Sequence, residues 1–290
     1  KTDREPLAAA QVCSGTPGRL FQLLRLNPEL FNKTRVLVVD EVDEILSTGF
    51  NQILLSIKDR LPADVNVCVT SATLTPDANE ICEKITRDPI KIYTKNEDLA
   101  RSGIKQFYVK VPVSQLEEKV ALCTEIYKRV ASLQTIIFAN KISTVQALYR
   151  RFKSKGVTVG MMHREVSQKD RDRVLAAFKA QKLKLLITTD VWSRGIDVKS
   201  VMATINFEMP YQLETYMHRV GRAGRFYGKG LAVTLVSPED QGSFRQLQRT
   251  YKMEIPELPV RFRQNLPAIS AKDYHLGQWA RENYLRRKKH

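Results

Sequence analysis

The sequence alternates two kinds of segment: short apolar runs rich in Val and Ile, and longer stretches in which apolar residues recur every three or four positions. The short runs predict buried strands, and the longer stretches predict amphipathic helices. This alternation is typical of parallel β/α construction and therefore predicts an α/β fold with parallel sheets. The predicted strands are 35–39, 66–70, 134–138, 157–161, 183–188, 201–206 and 231–236, and the run 11–14 is a weaker candidate.

A polar and charged stretch near residue 100 predicts two domains, residues 1–95 and 104–260, joined by a linker at 96–103. The second domain has at least five predicted strands with helices between them, which is enough for a complete small α/β domain. The first has only two clear strands, fewer than a stable parallel sheet needs. We therefore expect the first domain to be incomplete: either it is truncated, or a part of it is left out and the sequence has closed over the gap.

The charge is distributed unevenly along the chain. Lys and Arg number 47 against 31 Asp and Glu, a formal net charge of +16. Residues 1–98 hold 12 basic and 15 acidic side chains, residues 99–260 hold 27 and 14, and residues 261–290 hold 8 and 2. The positive field of the second half favours a polyanionic partner, and nucleic acid fits better than an anionic membrane. No apolar run approaches the roughly 18 residues of a membrane span, so no membrane partner is expected.

The spacing of the four cysteines indicates in which cellular compartment the protein is expected. Cys13, Cys68, Cys82 and Cys123 form no CxxC pair and have no adjacent His at metal-binding spacing, so a zinc site has little support. A reduced, intracellular protein is the simple interpretation, in the cytoplasm or the nucleus, with an organelle left open.

Three carboxylates, Asp40, Glu41 and Asp43, follow the strand 35–39. Open α/β sheets bind ligands at the carboxyl ends of their strands, and an Asp there can hold hydrated Mg²⁺ while the next Glu orients a water. An ordinary acidic helix start would give the same pattern. Hydroxyls of Ser71 and Thr73 follow the next strand and could equally be a plain helix N-cap.

A second polar cluster runs from His218 to Arg225, with Arg219, Arg222 and Arg225 at intervals of three. This spacing predicts three guanidinium groups along one side of a helix or tight turn. Their mutual repulsion indicates an anion that neutralises them, and a polyphosphate is the natural candidate. A solvated basic face is the alternative, but the glycines between the arginines suit it poorly.

Taken together, these motifs resemble the DEAD-box RNA helicase family. The resemblance rests on the ordered segments 16–19, 40–43, 71–73, 137–140, Gln168 with Arg171, 189–190 with 194–197, and 218–225. It covers about residues 11 to 260, and the run 187–195 is most similar to the translation initiation factor 4A branch. The resemblance implies two RecA-like domains that close on ATP and single-stranded or locally duplex RNA, the first incomplete here and the second complete.

The resemblance also implies roles for individual residues. Asp40 would hold Mg²⁺ through water, and Glu41 would polarise the water that attacks ATP. ATP contacts fall to Gly195, Asp197, Arg222 and Arg225, the two arginines acting on the γ-phosphate. The residues that would couple the nucleotide state to domain closure are Asp43, Ser71, Thr73, His218 and Arg219. Contacts to RNA phosphates and sugars fall to Thr16, Pro17, Gly18, Arg19, Gln168, Arg171, Thr189 and Gly195.

One expected motif is absent from the chain. The Gly-rich phosphate loop GxxxxGK[ST] of the family has no match in the 290 residues. Two interpretations stay open: an RNA-dependent ATPase and helicase whose phosphate loop comes from a missing segment, and a catalytically impaired scaffold subunit of a ribonucleoprotein particle such as a ribosome assembly intermediate. A third interpretation, a DNA helicase with similar domains, has less support. The RNA target and the protein regulators cannot be read from backbone-binding motifs.

Residues 261–290 extend beyond the family core and interleave eight basic side chains with the aromatics Phe262, Tyr274, Trp279 and Tyr284. Basic and aromatic residues together can bind phosphates and stack on unpaired bases. We expect this extension either to dock on structured RNA or a ribonucleoprotein, or to serve as a solubilising tail.

Overall fold

The structure is a computed structural model that describes residues 9–71, 76–93, 103–111, 115–190, 198, 200–224 and 230–258. The chain divides into two compact units, Lys1–Tyr93 and Thr94–His290. The predicted linker, 96–103, begins just after this division, and only Gly103 of it is described, with a φ of +71°. The predicted extension, 261–290, lies outside the described residues.

The first unit contains a two-stranded parallel sheet and four helices among its described residues. The strands are β1 (Val36–Val39) and β2 (Asn66–Val69), paired in register from Val36 with Asn66 to Val39 with Val69. The helices are α1 (Pro17–Leu26), α2 (Val42–Ser47), α3 (Asn51–Asp59) and α4 (Pro76–Ile85), with a 3-10 turn at Pro28–Phe31.

Side chains of the first sheet alternate between a covered and an open face, as strand geometry requires. Leu37, Val39 and Val67 face helices α1 to α4 and join two apolar clusters there. The opposite face carries Val36 and Val38, which are 57% and 61% exposed. Among the described residues of the first unit, no helix covers this apolar face, whereas parallel sheets in proteins are ordinarily covered on both sides.

The weaker strand prediction at 11–14 is wrong. These residues are exposed and irregular, and Val12 keeps 86% of its surface accessible. Among the described residues β1 pairs with β2 alone, so no neighbouring strand offers the hydrogen bonds that residues 11–14 would need.

The second unit is a six-stranded, fully parallel sheet in the order β3-β8-β7-β4-β6-β5. Its strands are β3 (Ile104–Lys110), β4 (Gln134–Phe138), β5 (Val159–Met162), β6 (Leu185–Thr188), β7 (Val201–Asn206) and β8 (Gly230–Val236). Its described helices are α5 (Leu116–Val130), α6 (Ile142–Ser154), α7 (Gln168–Lys179), α8 (Leu213–Val220) and α9 (Gln241–Thr250), with a 3-10 turn at Pro238–Asp240.

Both faces of this second sheet are covered. Ile137 of β4 packs into one large cluster with α5 and α6, while its neighbours Ile136 and Phe138 pack on the other side with Phe178 of α7. A third cluster joins the far part of the sheet to α8 and α9. Strands β4, β6, β7 and β8 are buried along their whole length, which explains why apolar residues predominate in each of them.

Strand β3 was not among the sequence predictions. Its sequence IKQFYVK mixes polar residues with apolar ones, and most of its side chains keep partial exposure. The strand lies at the edge of the sheet and pairs with β8 from Ile104 opposite Gly230 to Lys110 opposite Val236. An edge strand needs less apolar surface than a central one, so its apolar signal is weaker.

Candidate active site

The acidic pair lies where the sequence placed it, at the carboxyl end of β1. Val39 ends the strand and is buried, and Asp40 follows it with an exposed carboxylate. Glu41 has φ 52° and ψ 54°, the left-handed conformation that residues other than glycine seldom adopt. This turn allows helix α2 to begin at the very next residue, Val42. The chain therefore changes direction at the two carboxylates themselves.

Thr70, which follows β2, holds this turn in place. Its hydroxyl donates a hydrogen bond to Oδ1 of Asp40 and accepts one from the backbone N–H of Glu41 at 3.3 Å. Its carbonyl accepts the N–H of Val42 at 3.0 Å, and its own N–H bonds to Val39 O at 2.9 Å. One residue therefore fixes the backbone and one carboxylate of the acidic pair, a role that the sequence analysis missed.

The remaining predicted residues of this edge lie close by along the chain. Asp43 stands in the first turn of α2, and its Oδ1 accepts the N–H of Glu44 at 3.1 Å. The acidic segment is thus both the end of a strand and the start of a helix. Ser71 directly follows Thr70 and is half-buried, whereas Thr73 lies outside the described residues.

The segment Thr16–Arg19 forms the start of helix α1. Thr16 is the N-cap residue, its carbonyl accepts the N–H of Leu20 at 3.0 Å, and Pro17 occupies the first helical position. Arg19 Nη1 donates to Gln22 Oε1 at 2.5 Å. The first backbone N–H groups of a ten-residue helix carry a partial positive charge that favours anionic oxygens.

In the second unit, Arg219 occupies the last turn of α8 and is completely buried. Its Nε and Nη2 donate to the two carboxylate oxygens of Asp190 at 2.5 and 2.7 Å. Its guanidinium also stacks over the Phe138 ring at 5.5 Å. The expectation that Arg219 shares an anion-facing stripe with Arg222 and Arg225 is wrong, because a carboxylate of the same unit already neutralises its charge.

Asn140 and Glu208 complete the surroundings of Arg219. Arg219 Nη2 donates to Asn140 Oδ1 at 2.7 Å, and its Nη1 donates to the carbonyl of Glu208 at 2.7 Å. The Asn140 side chain in turn donates to Met209 O at 2.7 Å, and its backbone N–H donates to Glu208 Oε2 at 2.6 Å. Residues just past the carboxyl ends of β4, β6 and β7 therefore meet at one guanidinium.

This four-residue cluster of Asn140, Asp190, Glu208 and Arg219 was also missed as a unit. Asn140 and Asp190 belong to recognised motifs, but neither they nor Glu208 were predicted as site residues. The available signal was their position, since each is a polar residue directly after a buried strand.

His218 and Arg222 flank Arg219 along the chain and are 8% and 4% exposed. Arg222 lies in the turn that ends α8, where its N–H bonds to Arg219 O at 3.2 Å and its Nε bonds to His218 O at 3.1 Å. Gly224, with φ +72°, closes the turn by donating to Val201 O at 3.0 Å. The turn carrying Arg222 is therefore held to Arg219 on one side and to β7 on the other.

Three predicted RNA-contact residues gather at the neighbouring ends of β5 and β6. Thr189 donates its N–H to Met162 O at 3.3 Å, and Arg171 Nη2 donates to Arg164 O at 2.5 Å and to His163 O at 3.3 Å. Gln168 begins α7, is exposed, and donates to Asp172 Oδ1 at 2.8 Å. The structure thus brings Arg171 and Thr189 onto one short backbone segment, 162–164.

His163, the middle residue of this segment, is 4% exposed. Both of its ring nitrogens, and Nε of Arg171, are buried without a hydrogen-bond partner in the described part of the chain. Burial lowers the pKa of His163; the charge of Arg171 lowers it further, and that of Glu165 acts in the opposite direction.

The structure describes only some of the predicted site residues. Thr73, Gly195, Asp197 and Arg225 lie outside the described residues. Within the part of the chain that is described, no group of three or more His, Cys, Asp or Glu side chains could hold a metal ion. No described helix has the length and apolar character needed to cross a membrane.

Comparison with known proteins agrees with this arrangement. Residues 1–81 match the DEAD/DEAH box helicase family, and residues 118–227 match the helicase conserved C-terminal domain. The chain is 38% identical over 249 residues to the ATP-dependent RNA helicase FAL1 of Meyerozyma guilliermondii, covering 86% of this chain and 62% of that protein. It is 37% identical over 257 residues to the ATP-dependent RNA helicase eIF4A of Saccharomyces cerevisiae, covering 89% and 65%.

Among solved structures, S. cerevisiae Dbp5 bound to RNA and ADP BeF3 superimposes with a TM-score of 0.77 at 29% identity, over 87% of this chain and 66% of that one. The chain belongs to the DEAD-box helicase family. Its two units are RecA-like. It spans somewhat less than two thirds of the length of these curated relatives.

Proposed function

We propose that this chain is part of an ATP-dependent RNA helicase, an RNA-dependent ATPase that clamps and locally unwinds or remodels RNA. The single observation that carries the proposal is the conformation of the acidic pair. Glu41 adopts a left-handed backbone that costs free energy. Thr70 maintains it with hydrogen bonds to backbone groups of Val39, Glu41 and Val42 and with a fourth to the Asp40 carboxylate. Strain of this kind is ordinarily retained where chemistry needs it.

In this proposal Asp40 contacts Mg²⁺ through water and Glu41 orients the attacking water. The residues fit such an ion, because the Asp40 carboxylate is exposed at a strand end and Mg²⁺ commonly binds through one or two carboxylates, waters and nucleotide phosphates. Bound Mg²⁺ would neutralise charge that develops on the phosphates.

The second unit would contribute Arg222 to the γ-phosphate, with Arg225, Gly195 and Asp197 completing the nucleotide contacts. Arg222 suits this role because the turn that carries it is fixed by hydrogen bonds on both sides. An arginine supplied in this way accelerates phosphoryl transfer by about 10³- to 10⁵-fold in related nucleotide hydrolases. Asp43, Ser71, Thr73, His218 and Arg219 would link the nucleotide state to closure of the two units.

RNA would bind through its backbone. The start of α1 offers helix N–H groups and Arg19, and the 162–164 segment offers Arg171, Thr189 and Gln168 nearby. Residues 99–260 carry 27 basic against 14 acidic side chains, which favours a polyanion. Phosphate and sugar contacts position the strand without reading its sequence, so protein partners or a ribonucleoprotein particle would select the target.

The four cysteines are all free thiols, which fits a reducing intracellular compartment, the cytoplasm or the nucleus. The Gly-rich phosphate loop has no counterpart in the 290 residues. The proposal therefore requires the complete protein to supply that loop from outside them, and tests of activity belong to the full-length protein.

The test measures ATP hydrolysis by the full-length protein with and without single-stranded RNA at one fixed salt concentration. We expect RNA to stimulate turnover, and Glu41→Gln to reduce it by about 10²- to 10⁴-fold while ATP-dependent RNA binding persists. Glu80→Gln is the matched control, because Glu80 is an exposed carboxylate of the same unit that pairs with Lys84 at 2.6 Å. Undiminished turnover in Glu41→Gln would contradict the assigned role. RNA binding without any turnover in the native protein would favour the scaffold function instead.

A further inference from the structure

Asn140, Asp190, Glu208 and Arg219 form the four-residue cluster described above. Its member Arg219 directly follows His218 in the sequence and precedes Arg222 by three residues. The geometry points to Asn140 and Glu208 as positioning residues for the reaction: they fix Arg219, and through it the turn that presents Arg222. This inference rests on the proposed function, in which Arg222 acts on the γ-phosphate. It assigns a role to two residues that make no predicted contact with nucleotide or RNA.

The first step of the argument is that Arg219 cannot move independently. It is completely buried, and its guanidinium donates to Asp190, Asn140 and the Glu208 carbonyl in four bonds of 2.5 to 2.7 Å. Withdrawing a buried guanidinium from such partners would leave several polar groups unpaired in a region of low dielectric constant. Arg219 therefore takes the position that the three strand ends dictate.

The second step concerns the amide of Asn140, whose orientation is set from both ends. Its oxygen accepts from Arg219 Nη2 and its nitrogen donates to Met209 O, each at 2.7 Å. Its backbone N–H is held by Glu208 Oε2 at 2.6 Å. Asn140 and Glu208 thus join the ends of β4 and β7 to each other and to Arg219. Changing the amide to a carboxylate would place an oxygen against the Met209 carbonyl and disturb this junction.

The third step is the path from Arg219 to Arg222. The Arg222 N–H bonds to the Arg219 carbonyl at 3.2 Å, and Arg222 Nε bonds to the His218 carbonyl at 3.1 Å. The backbone of Arg222 is therefore attached to Arg219, which the cluster fixes, and its guanidinium to the neighbouring residue His218. A displacement of about 1 Å at a reacting group can cost about 10²-fold in rate, so a small shift at Arg219 would matter at Arg222.

The experiment compares kcat and KM for ATP in the full-length protein carrying Asn140→Asp, with Glu208→Gln as a second and milder variant should the first fold poorly. We expect kcat to fall by about 10-fold or more, with RNA affinity and cooperative unfolding retained. Gln134→Glu is the matched control. Gln134 is a buried amide at the opposite end of β4, bonded to Phe178 O at 2.6 Å, and its loss should affect stability but leave kcat unchanged.

A double-mutant cycle with Arg222→Ala separates positioning from a general loss of structure. If the cluster acts through Arg222, Asn140→Asp should add little further loss of kcat once Arg222 is removed. Losses that multiply would overturn the positioning role while leaving the function of Arg222 intact. If Arg222→Ala itself left kcat unchanged, the proposed function of Arg222 would fail, and the positioning role with it. A loss of kcat in Gln134→Glu equal to that in Asn140→Asp would also overturn the inference.

Discussion

The hydroxyl of Thr70 donates to the Asp40 carboxylate and accepts from the Glu41 N–H, so one side chain touches both residues of the acidic pair. Thr70 lies 29 residues after Glu41 and 30 residues after Asp40 in the sequence. The parallel pairing of β1 and β2 brings the three residues together. The position of the acidic pair therefore depends on the residue that follows the next strand.

We expect Thr70→Val to lower ATP turnover in the full-length protein, because valine has the same shape but can neither donate to Asp40 nor accept from Glu41. The free energy of unfolding should fall by about 0.5–1.5 kcal/mol per lost hydrogen bond. Thr48→Val is the control, since the Thr48 hydroxyl bonds only to carbonyls of the exposed end of α2. Turnover that fell equally in both variants would argue against a special role for Thr70.

Asp190→Asn should destabilise the chain strongly, because it leaves the buried guanidinium of Arg219 without its neutralising carboxylate. Breaking a buried pair costs about 3–5 kcal/mol, and we expect the lower end because Asp190 keeps 35% of its side chain exposed. Glu125→Gln provides the comparison: its pair with Lys128 is exposed and should contribute under about 1 kcal/mol. Urea unfolding of the two variants measures the difference, and equal stabilities would contradict this account of Arg219.

Gly160→Ala and Gly242→Ala should have opposite effects on stability. A Cβ at Gly160, in β5, would lie 2.8 Å from Val174 Cγ1 and 3.0 Å from Leu183 Cδ1, so the packing would have to shift at a cost of about 1–3 kcal/mol. A Cβ at Gly242, near the start of α9, would meet nothing within 4 Å and should stabilise by up to about 1 kcal/mol. Denaturant midpoints of the two variants test the prediction.

His163 should make the fold less stable in mild acid. Because folding lowers the His163 pKa, the unfolded chain binds this proton more readily than the folded one. The stability that neutral His163 contributes is complete above the unfolded pKa of about 6.5 and is lost as the pH falls through the folded pKa. Unfolding free energies at pH 7.5 and 5.5 should therefore differ less in His163→Leu than in the native chain.

Glu165 provides the control for this pH effect, because its charge raises the His163 pKa. Glu165→Gln should lower that pKa further and increase the stability lost between pH 7.5 and 5.5. If all three proteins lost the same stability over this range, groups other than His163 would be responsible.

The sequence predicted most of the sheet of the second unit because its central strands are buried on both faces and are therefore mostly apolar. Strand β3 escaped detection because an edge strand can carry Lys105 and Gln106 among its apolar residues. The strand predicted at 11–14 was wrong for a different reason. Its composition is locally suitable, but among the described residues no partner strand pairs with it.

For the site, the sequence predicted which strand ends carry polar residues but not which side chains meet. Asp40 and Glu41 were placed correctly because they directly follow an apolar run. The partners of Arg219 are 29 and 79 residues away along the chain, at Asp190 and Asn140, and no local pattern connects them. The spacing of Arg219 and Arg222 predicted an external anion as the partner of Arg219. The observed counter-charge is the Asp190 carboxylate, which the tertiary fold brings to it.

The open face of β1 has a practical consequence for work with separate pieces of this protein. Val36 and Val38 present an apolar strand with an unpaired edge among the described residues, a combination that favours intermolecular strand pairing. A recombinant fragment limited to residues 1–93 would be prone to self-association and aggregation during purification. The second unit, whose central strands are covered on both sides, is the better choice for crystallisation or spectroscopy in isolation.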